Sequence, residues 1–210
     1  MRPLVKICGL TRAEDAELAV ALGADLLGVV LWPASPRAVG LDRVREIAAA
    51  VAGRVPLVGV FVDARPEEIA AALAAGGLDL AQLHGSEPVA WTAALGSRAI
   101  RALRPEADHA AAMAALPAAW GFVVDTGDAR RHGGTGERWA WRRLPRPGPG
   151  QRLLVAGGIR PGNVRAALAA TGADGIDVAS GVEARPGVKD SGLLAQLFAE
   201  VGDGAMEERA

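Results

Sequence analysis

Short apolar runs alternate with alanine-rich helical segments along nearly the whole 210-residue chain. The runs are almost uniformly apolar, which is typical of parallel strands covered on both faces. Eight such strand-helix units predict a single (β/α)8 TIM barrel over residues 1–203, followed by a frayed tail over 204–210. The predicted strands are Leu4–Cys8, Leu26–Leu31, Leu57–Val62, Leu78–Leu83, Ala99–Leu103, Gly121–Asp125, Leu153–Ala156 and Gly175–Val178.

The same pattern could also form an open, doubly wound sheet. An open sheet usually has fewer strands, and no Gly-x-Gly-x-x-Gly sequence follows the first apolar run here. The closed barrel is therefore favoured. Helices are predicted at Ala13–Leu22, Asp42–Val51, Pro66–Ala75, Pro88–Leu95, Ala107–Ala115, Trp139–Leu144, Pro161–Ala169 and Ser191–Val201.

Composition argues against several classes of protein. Apolar residues make up 50% of the chain and charged residues 22%, the proportions of an ordinary globular protein. The formal net charge is -1 and no basic block is present, so we expect a small-molecule ligand rather than nucleic acid or a membrane surface. The single cysteine, Cys8, excludes an intrachain disulfide and a cysteine zinc cluster. Without a signal-peptide pattern or a membrane-spanning run, we expect a cytoplasmic monomer or homodimer.

The segment Lys6–Thr11 brings reactive side chains to the end of the first strand. Side chains alternate across a strand, so Lys6 and Cys8 share one face. Gly9 allows a sharp turn, and Thr11 is placed to cap the helix that follows. The thiol of Cys8 could meet a ligand above the barrel, or it could be a small buried apolar group.

Lys6 and Lys189 are the only lysines among the 23 basic residues. We expect Lys6 to point into the barrel, where a buried ammonium needs a partner. The first and eighth strands are neighbours in a closed barrel. We therefore predict a contact between Lys6 and Asp177.

In a barrel the active site lies at the C-terminal ends of the strands, and several polar residues follow predicted strands here. Arg37 suits a carboxylate, because two N–H groups can meet two oxygens, although it could also be a solvated surface charge. Asp125 closes an apolar strand, where partial desolvation would raise its pKa and suit it to donate a proton; a turn or cap role is the alternative. His84 could orient a ligand or satisfy a loop carbonyl.

Glycine turns follow the seventh and eighth strands. Gly157 and Gly158 end one strand, and Ser180 and Gly181 follow the other. In barrels of this kind, backbone N–H groups and a short helix N-terminus in these two loops bind phosphate. Two glycine turns in these loops favour a phosphate site over simple tight turns.

With these features in place, the chain resembles the phosphoribosylanthranilate isomerase family of tryptophan biosynthesis nearly from end to end. One departure is Trp139-Ala140-Trp141, where the family tends to have Phe-Asp-Trp; it affects the hydrogen bonding expected within that loop. The motifs, in order, are Lys-Ile-Cys-Gly-Leu-Thr at 6–11, Ser-Pro-Arg at 35–37, Val-Gly-Val-Phe-Val at 58–62, Gln-Leu-His-Gly at 82–85, Asp-Thr at 125–126, Gly-Gly-Thr-Gly at 133–136, Ala-Gly-Gly-Ile-Arg-Pro-Gly-Asn-Val at 156–164 and Ser-Gly-Val-Glu-Ala-Arg-Pro-Gly-Val-Lys-Asp at 180–190.

The resemblance implies an Amadori rearrangement of N-(5-phosphoribosyl)anthranilate to 1-(2-carboxyphenylamino)-1-deoxyribulose 5-phosphate, the third step from chorismate to L-tryptophan. It implies Cys8 as general base, Asp125 as general acid and Arg37 as the residue that binds the anthranilate carboxylate, with no cofactor and no metal. The remaining expected contacts to the sugar and phosphate are from His84, Gly157, Gly158, Asp177, Ser180 and Gly181.

Two alternatives remain open at this point. One is another phosphate-binding barrel isomerase or epimerase, which would usually carry paired carboxylates or a metal. The other is a non-catalytic phosphosugar-binding barrel. That reading would not require Cys8 and Asp125 to face one cavity.

Overall fold

Eight parallel strands close into one barrel in the computed structural model, which describes residues 2–125 and 141–207, with side chains up to residue 202. Each strand pairs with its sequence neighbours, and β8 pairs with β1 to complete the ring. The predicted fold is therefore confirmed. The strands are β1 Leu4–Ile7, β2 Leu26–Val30, β3 Leu57–Phe61, β4 Leu80–Leu83, β5 Ala99–Leu103, β6 Gly121–Asp125, β7 Arg152–Ala156 and β8 Gly175–Val178.

Helices cover the outside of the barrel after most strands. Large apolar clusters fill the layer between barrel and helices, which explains why the strands read as almost uniformly apolar. In the described chain no helix combines the length and the hydropathy needed to cross a membrane. The helices are α1 Ala13–Leu22, α2 Leu41–Val51, α3 Pro66–Ala75, α4 Val89–Leu95, α5 His109–Ala114, α6 Val164–Thr171 and α7 Ser191–Glu207.

Several local predictions differ from the structure. Helix α6 begins at Val164 rather than Pro161, because the side chain of Asn163 first closes a turn by accepting from the Arg160 N–H at 2.9 Å. Helix α7 continues to Glu207 instead of ending at Val201. Residues 141–147 contain no helix, so the described part of the predicted Trp139–Leu144 helix is wrong. Residues 139 and 140 lie outside the described residues.

The prediction that Thr11 caps α1 is also wrong. Arg12 is the residue before the helix, and no side-chain bond caps it. The Thr11 hydroxyl instead donates to the carbonyl of Gly187, which belongs to a small hairpin after β8. That hairpin, β9 Glu183–Arg185 paired with β10 Val188–Lys189, is preceded by a 3-10 helix at Ser180–Val182. It was not predicted from the sequence.

The inside of the barrel has two chemically different levels. Apolar side chains from β2 to β7 form one cluster, the plug, which reaches from the N-terminal end of the barrel to Ala156 at the end of β7. Side chains alternate along each strand. The residues two or four positions after a plug residue therefore also point inward, nearer the C-terminal end. There the interior becomes polar, with Lys6 on β1, Gln82 on β4 and Asp177 on β8 all buried. The plug consists of Leu26, Val58, Leu80, Ile100, Val123, Leu154 and Ala156, with Leu4 and Trp120 packed against it.

Candidate active site

Lys6 and Asp177 form the buried ion pair predicted from the sequence. The two residues are directly opposite each other in the β1–β8 register. The Lys6 Nζ donates to both carboxylate oxygens of Asp177, at 2.9 and 3.0 Å, and its side chain is fully buried. Burial alone would lower the pKa of Lys6, but the adjacent Asp177 carboxylate outweighs it and the pKa is raised. Lys6 is therefore a fixed positive charge inside the barrel.

Cys8 lies directly above this pair at the inner mouth of the barrel. Its N–H donates to the Val178 carbonyl at 2.8 Å, which continues the β1–β8 ladder and directs the thiol inward. A methyl group on Gly28 of β2 would come within 2.7 Å of the Cys8 Sγ and 3.1 Å of the Lys6 Nζ. The thiol and the ammonium therefore share one small space beside β2, which the missing side chain of Gly28 leaves open.

The environment of Cys8 sets the acidity of its thiol. A nearby cation by itself lowers the pKa of a thiol. Burial raises the pKa of Cys8, and the charge of Lys6 offsets this only in part, so the net shift is upward. The residue as a whole is 9% exposed, so Cys8 is buried at the mouth.

Asp125 ends β6 and points to the same mouth. It lies two residues after Val123, which is part of the interior plug, so its side chain also faces inward. Cys8 and Asp125 thus approach one space from β1 and β6, which stand three places apart around the ring. The Asp125 carboxyl group is 37% exposed, in contrast to the almost enclosed thiol.

His84 contacts Asp125, a partner that the sequence did not predict. Its Nε2 lies 3.3 Å from the Asp125 Oδ2, and its Nδ1 lies 2.8 Å from the Gln82 Nε2. With the Gln82 amide as donor, Nδ1 is the acceptor and the imidazole proton sits on Nε2, directed at the carboxylate. Gln82 and His84 therefore form a chain of side chains that orients Asp125.

Arg37 lies over the turn that follows β1. Gly9 has a φ of 72°, and a side-chain carbon on it would come within 2.5 Å of the Arg37 Cδ. Both the turn and the position of the arginine therefore require glycine. The guanidinium is held by Glu183, which accepts from Nε at 2.9 Å and from Nη2 at 2.6 Å. Arg37 is thus a fixed cation at the mouth rather than a mobile surface charge.

The two glycine loops predicted to bind phosphate meet each other. A side-chain carbon on Gly181 would lie 1.8 Å from the carbonyl oxygen of Ile159, so the loop after β8 can approach the loop after β7 only with glycine there. Gly157 and Gly158 have φ values of 90° and 64°. Ser180 is the first residue of the 3-10 helix Ser180–Val182, and no side-chain hydrogen bond caps that helix.

Some of the predicted site lies outside the described residues. This applies to Thr126 and to the Gly-Gly-Thr-Gly segment at 133–136. Asp177 was expected to contact the substrate, which stays a prediction; both of its oxygens accept hydrogen bonds from Lys6.

Sequence reasoning missed Glu183 and Gln82 as members of the site. Both lie inside motifs quoted above, but nothing local distinguishes Glu183 from a surface glutamate. For Lys189 there was a signal, because it is one of only two lysines in an arginine-rich chain, and both lysines are buried.

The closed (β/α)8 barrel, with a thiol and a carboxyl group directed inward at its C-terminal mouth, places the chain in the class of TIM-barrel enzymes. Comparison with known proteins narrows the class. A family model described as N-(5'phosphoribosyl)anthranilate (PRA) isomerase matches residues 5–200. The chain belongs to this family.

Individual relatives agree over nearly the full length. A protein from Cellvibrio japonicus named N-(5'-phosphoribosyl)anthranilate isomerase is 43% identical over 188 residues, which cover 89% of this chain and 87% of the relative. The crystal structure of phosphoribosyl anthranilate isomerase from Thermus thermophilus is 38% identical, with a TM-score of 0.77 over 95% of this chain and 98% of that one. Another solved isomerase, in complex with reduced 1-(o-carboxyphenylamino)-1-deoxyribulose 5-phosphate, is 30% identical with a TM-score of 0.76, covering 96% and 99% of the two chains.

Proposed function

We propose that this protein is an isomerase that converts N-(5-phosphoribosyl)anthranilate to 1-(2-carboxyphenylamino)-1-deoxyribulose 5-phosphate in tryptophan biosynthesis. The observation that carries the proposal is that Cys8 and Asp125 both occupy inward-facing positions at the C-terminal ends of β1 and β6. An Amadori rearrangement needs one group to give a proton and another to take one. Family membership and the relatives' names support the choice of substrate.

The first step is the opening of the sugar ring. Asp125, as general acid, protonates the furanose oxygen, so that the C1–O bond breaks and the nitrogen lone pair forms an iminium. His84 directs its Nε2 at the Asp125 carboxyl group, 3.3 Å away, and so orients the acid toward the substrate. Gln82 holds the imidazole from the other side.

The second step is the removal of a proton from carbon. Cys8, as thiolate, takes the proton from the sugar C2′, and the electrons of that bond neutralise the iminium to give an enolamine. The enolamine then gains a proton at the sugar C1′ and loses one from the C2′ hydroxyl to become the ketone. The electrons move within the substrate throughout, so the steps require no redox cofactor. Lys6 lies beside the thiol and stabilises the thiolate while it exists.

Two parts of the barrel mouth are assigned to substrate binding. Arg37 would meet the anthranilate carboxylate with the part of its guanidinium that Glu183 does not use. The loops at Gly157–Gly158 and Ser180–Gly181 would hold the phosphate with backbone N–H groups. We assign Asp177 to neutralising Lys6, because both of its oxygens accept from that ammonium.

The direct test is to mix the purified protein with freshly prepared N-(5-phosphoribosyl)anthranilate and to follow the loss of its fluorescence. We expect loss faster than the spontaneous decay of the substrate, and a return to that background rate with Cys8→Ala. No acceleration by the wild-type protein would overturn the proposal. Product identity is checked by chromatography against the chemically rearranged compound.

A further inference from the structure

Glu183 occupies a central place at the barrel mouth. It is the first residue of β9, and its side chain is only 3% exposed. Besides the two bonds from Arg37, its Oε1 accepts from the Lys189 Nζ at 2.9 Å and from the Gly187 N–H at 3.3 Å. One buried carboxylate therefore joins two cations from distant parts of the chain, since Arg37 is 146 residues away in sequence.

Lys189 connects this carboxylate to the site's backbone. Its Nζ also donates to the carbonyl of Cys8 at 2.6 Å and to the carbonyl of Ala179 at 3.1 Å. The same ammonium thus touches the residue after β1, which carries the thiol, and the residue before the Ser180–Gly181 turn.

The charges at Glu183 do not cancel. Two cations face one carboxylate, so a net positive charge remains beside the mouth. Burial alone would raise the pKa of Glu183, but Arg37 and Lys189 outweigh it and the pKa is lowered, which keeps the carboxylate ionised. Glu183 takes the Nε–H and one Nη2–H of Arg37, which leaves about three of the five guanidinium N–H groups for another anion.

The position of Arg37 depends on this carboxylate. Its side chain bends over Gly9 and is 21% exposed, so packing alone does not fix the guanidinium. An arginine side chain loses rotamer freedom when it is held in one place. A bidentate carboxylate restrains the guanidinium before any ligand arrives.

We propose that Glu183 is a positioning residue that fixes Arg37 in the orientation needed to recognise the substrate's carboxylate. Glu183 thereby sets the preference for an aminobenzoate over an uncharged arylamine on the sugar. This inference rests on the proposed function, and in particular on the assignment of Arg37.

The test compares two substrates that differ only in the carboxylate. N-(5-phosphoribosyl)anthranilate and N-(5-phosphoribosyl)aniline are assayed for kcat and KM with wild type, Glu183→Gln, Arg37→Ala and the double variant. For wild type we expect the KM of the aniline compound to be roughly tenfold or more above that of the anthranilate compound. This is the scale of one charge-assisted hydrogen bond. Glu183→Gln should bring this ratio toward one, with kcat on the aniline compound retained. The double variant should show no further loss of preference beyond Arg37→Ala.

Two further variants separate positioning from folding. Glu183→Asp keeps the negative charge but shortens the side chain by one CH2 group, which breaks the bidentate contact with Arg37. It should therefore also reduce the preference, and it serves as the test if Glu183→Gln fails to fold. Glu46→Gln removes the carboxylate of an exposed arginine pair on α2 and should change neither constant. Circular dichroism of each variant reports the fold.

The outcomes are distinguishable. A wild-type protein inactive on both compounds would overturn the proposed function itself. A wild-type protein that turns over both compounds with equal KM would remove the role of Arg37, and with it this inference. A folded Glu183→Gln or Glu183→Asp variant that keeps the full preference would overturn the inference alone.

Discussion

The Lys6–Asp177 pair offers a sharp test of how the barrel interior is held together. The Lys6 side chain is fully buried and that of Asp177 is 6% exposed. Lys6→Met keeps most of the stem's volume but leaves a buried carboxylate without its counter-ion. Breaking a buried pair in this way costs about 3–5 kcal/mol. At about 2–4 °C per kcal/mol for a chain of this size, Tm should fall by roughly 6–20 °C.

Removing both charges should be far less harmful than removing one. The double variant Lys6→Met/Asp177→Leu leaves only apolar groups inside, so we expect its free energy of unfolding within about 1 kcal/mol of wild type. Arg43→Met, which breaks an exposed pair with Glu46, is the matched control and should cost less than about 1 kcal/mol. Urea unfolding followed by circular dichroism measures wild type, Lys6→Met, Asp177→Leu, the double variant and Arg43→Met. The reasoning is refuted if Lys6→Met lowers the free energy of unfolding by less than the control does. It is also refuted if the double variant loses as much free energy of unfolding as Lys6→Met and Asp177→Leu lose together.

Three further predictions concern the site. Cys8→Ala and Asp125→Asn should each lower kcat by at least about a hundredfold, the lower scale for general acid-base catalysis; near-normal turnover in a steady-state assay of either would remove its assigned role. Arg37→Ala should mainly raise KM, because it removes binding rather than proton transfer, and a fall in kcat alone would contradict this. Burial raises the pKa of Cys8, so its ultraviolet thiolate absorbance, with Cys8→Ala as blank, should appear only above the usual range of about 8.5. The folded thiol keeps its proton to higher pH than the unfolded one. The free energy of unfolding should therefore fall as pH rises past about 8.5, and this contribution should be absent in Cys8→Ala.

The strands were predictable because each barrel strand is covered on both faces and so reads as a continuous apolar run. The predicted bounds of β5, β6 and β8 are confirmed, and α1 and α3 also lie where the pattern placed them. The hairpin of β9 and β10 escaped prediction because its strands are three and two residues long and carry mostly polar side chains. A pattern needs several residues to show a period, and these strands are shorter than that.

The residues at the ends of strands could be selected from sequence, but not their partners. Cys8, Asp125 and the two glycine loops follow strands, and parallel strands bring their C-terminal ends to one mouth. The contact between Lys6 and Asp177 was also predictable, because ring closure makes β1 and β8 neighbours. The contact between His84 and Asp125 was not, since it joins β4 and β6 across an intervening strand.

The sequence by itself determined the fold and the kinds of reactive group at the mouth, because apolar periodicity and strand order are local properties of a chain. Only the tertiary structure decided how those groups are held: Glu183 across Arg37 and Lys189, Gln82 behind His84, and Thr11 on the hairpin instead of on its helix. Burial also decided the acidity of Cys8, because desolvation depends on everything packed around the thiol rather than on its neighbours in the chain.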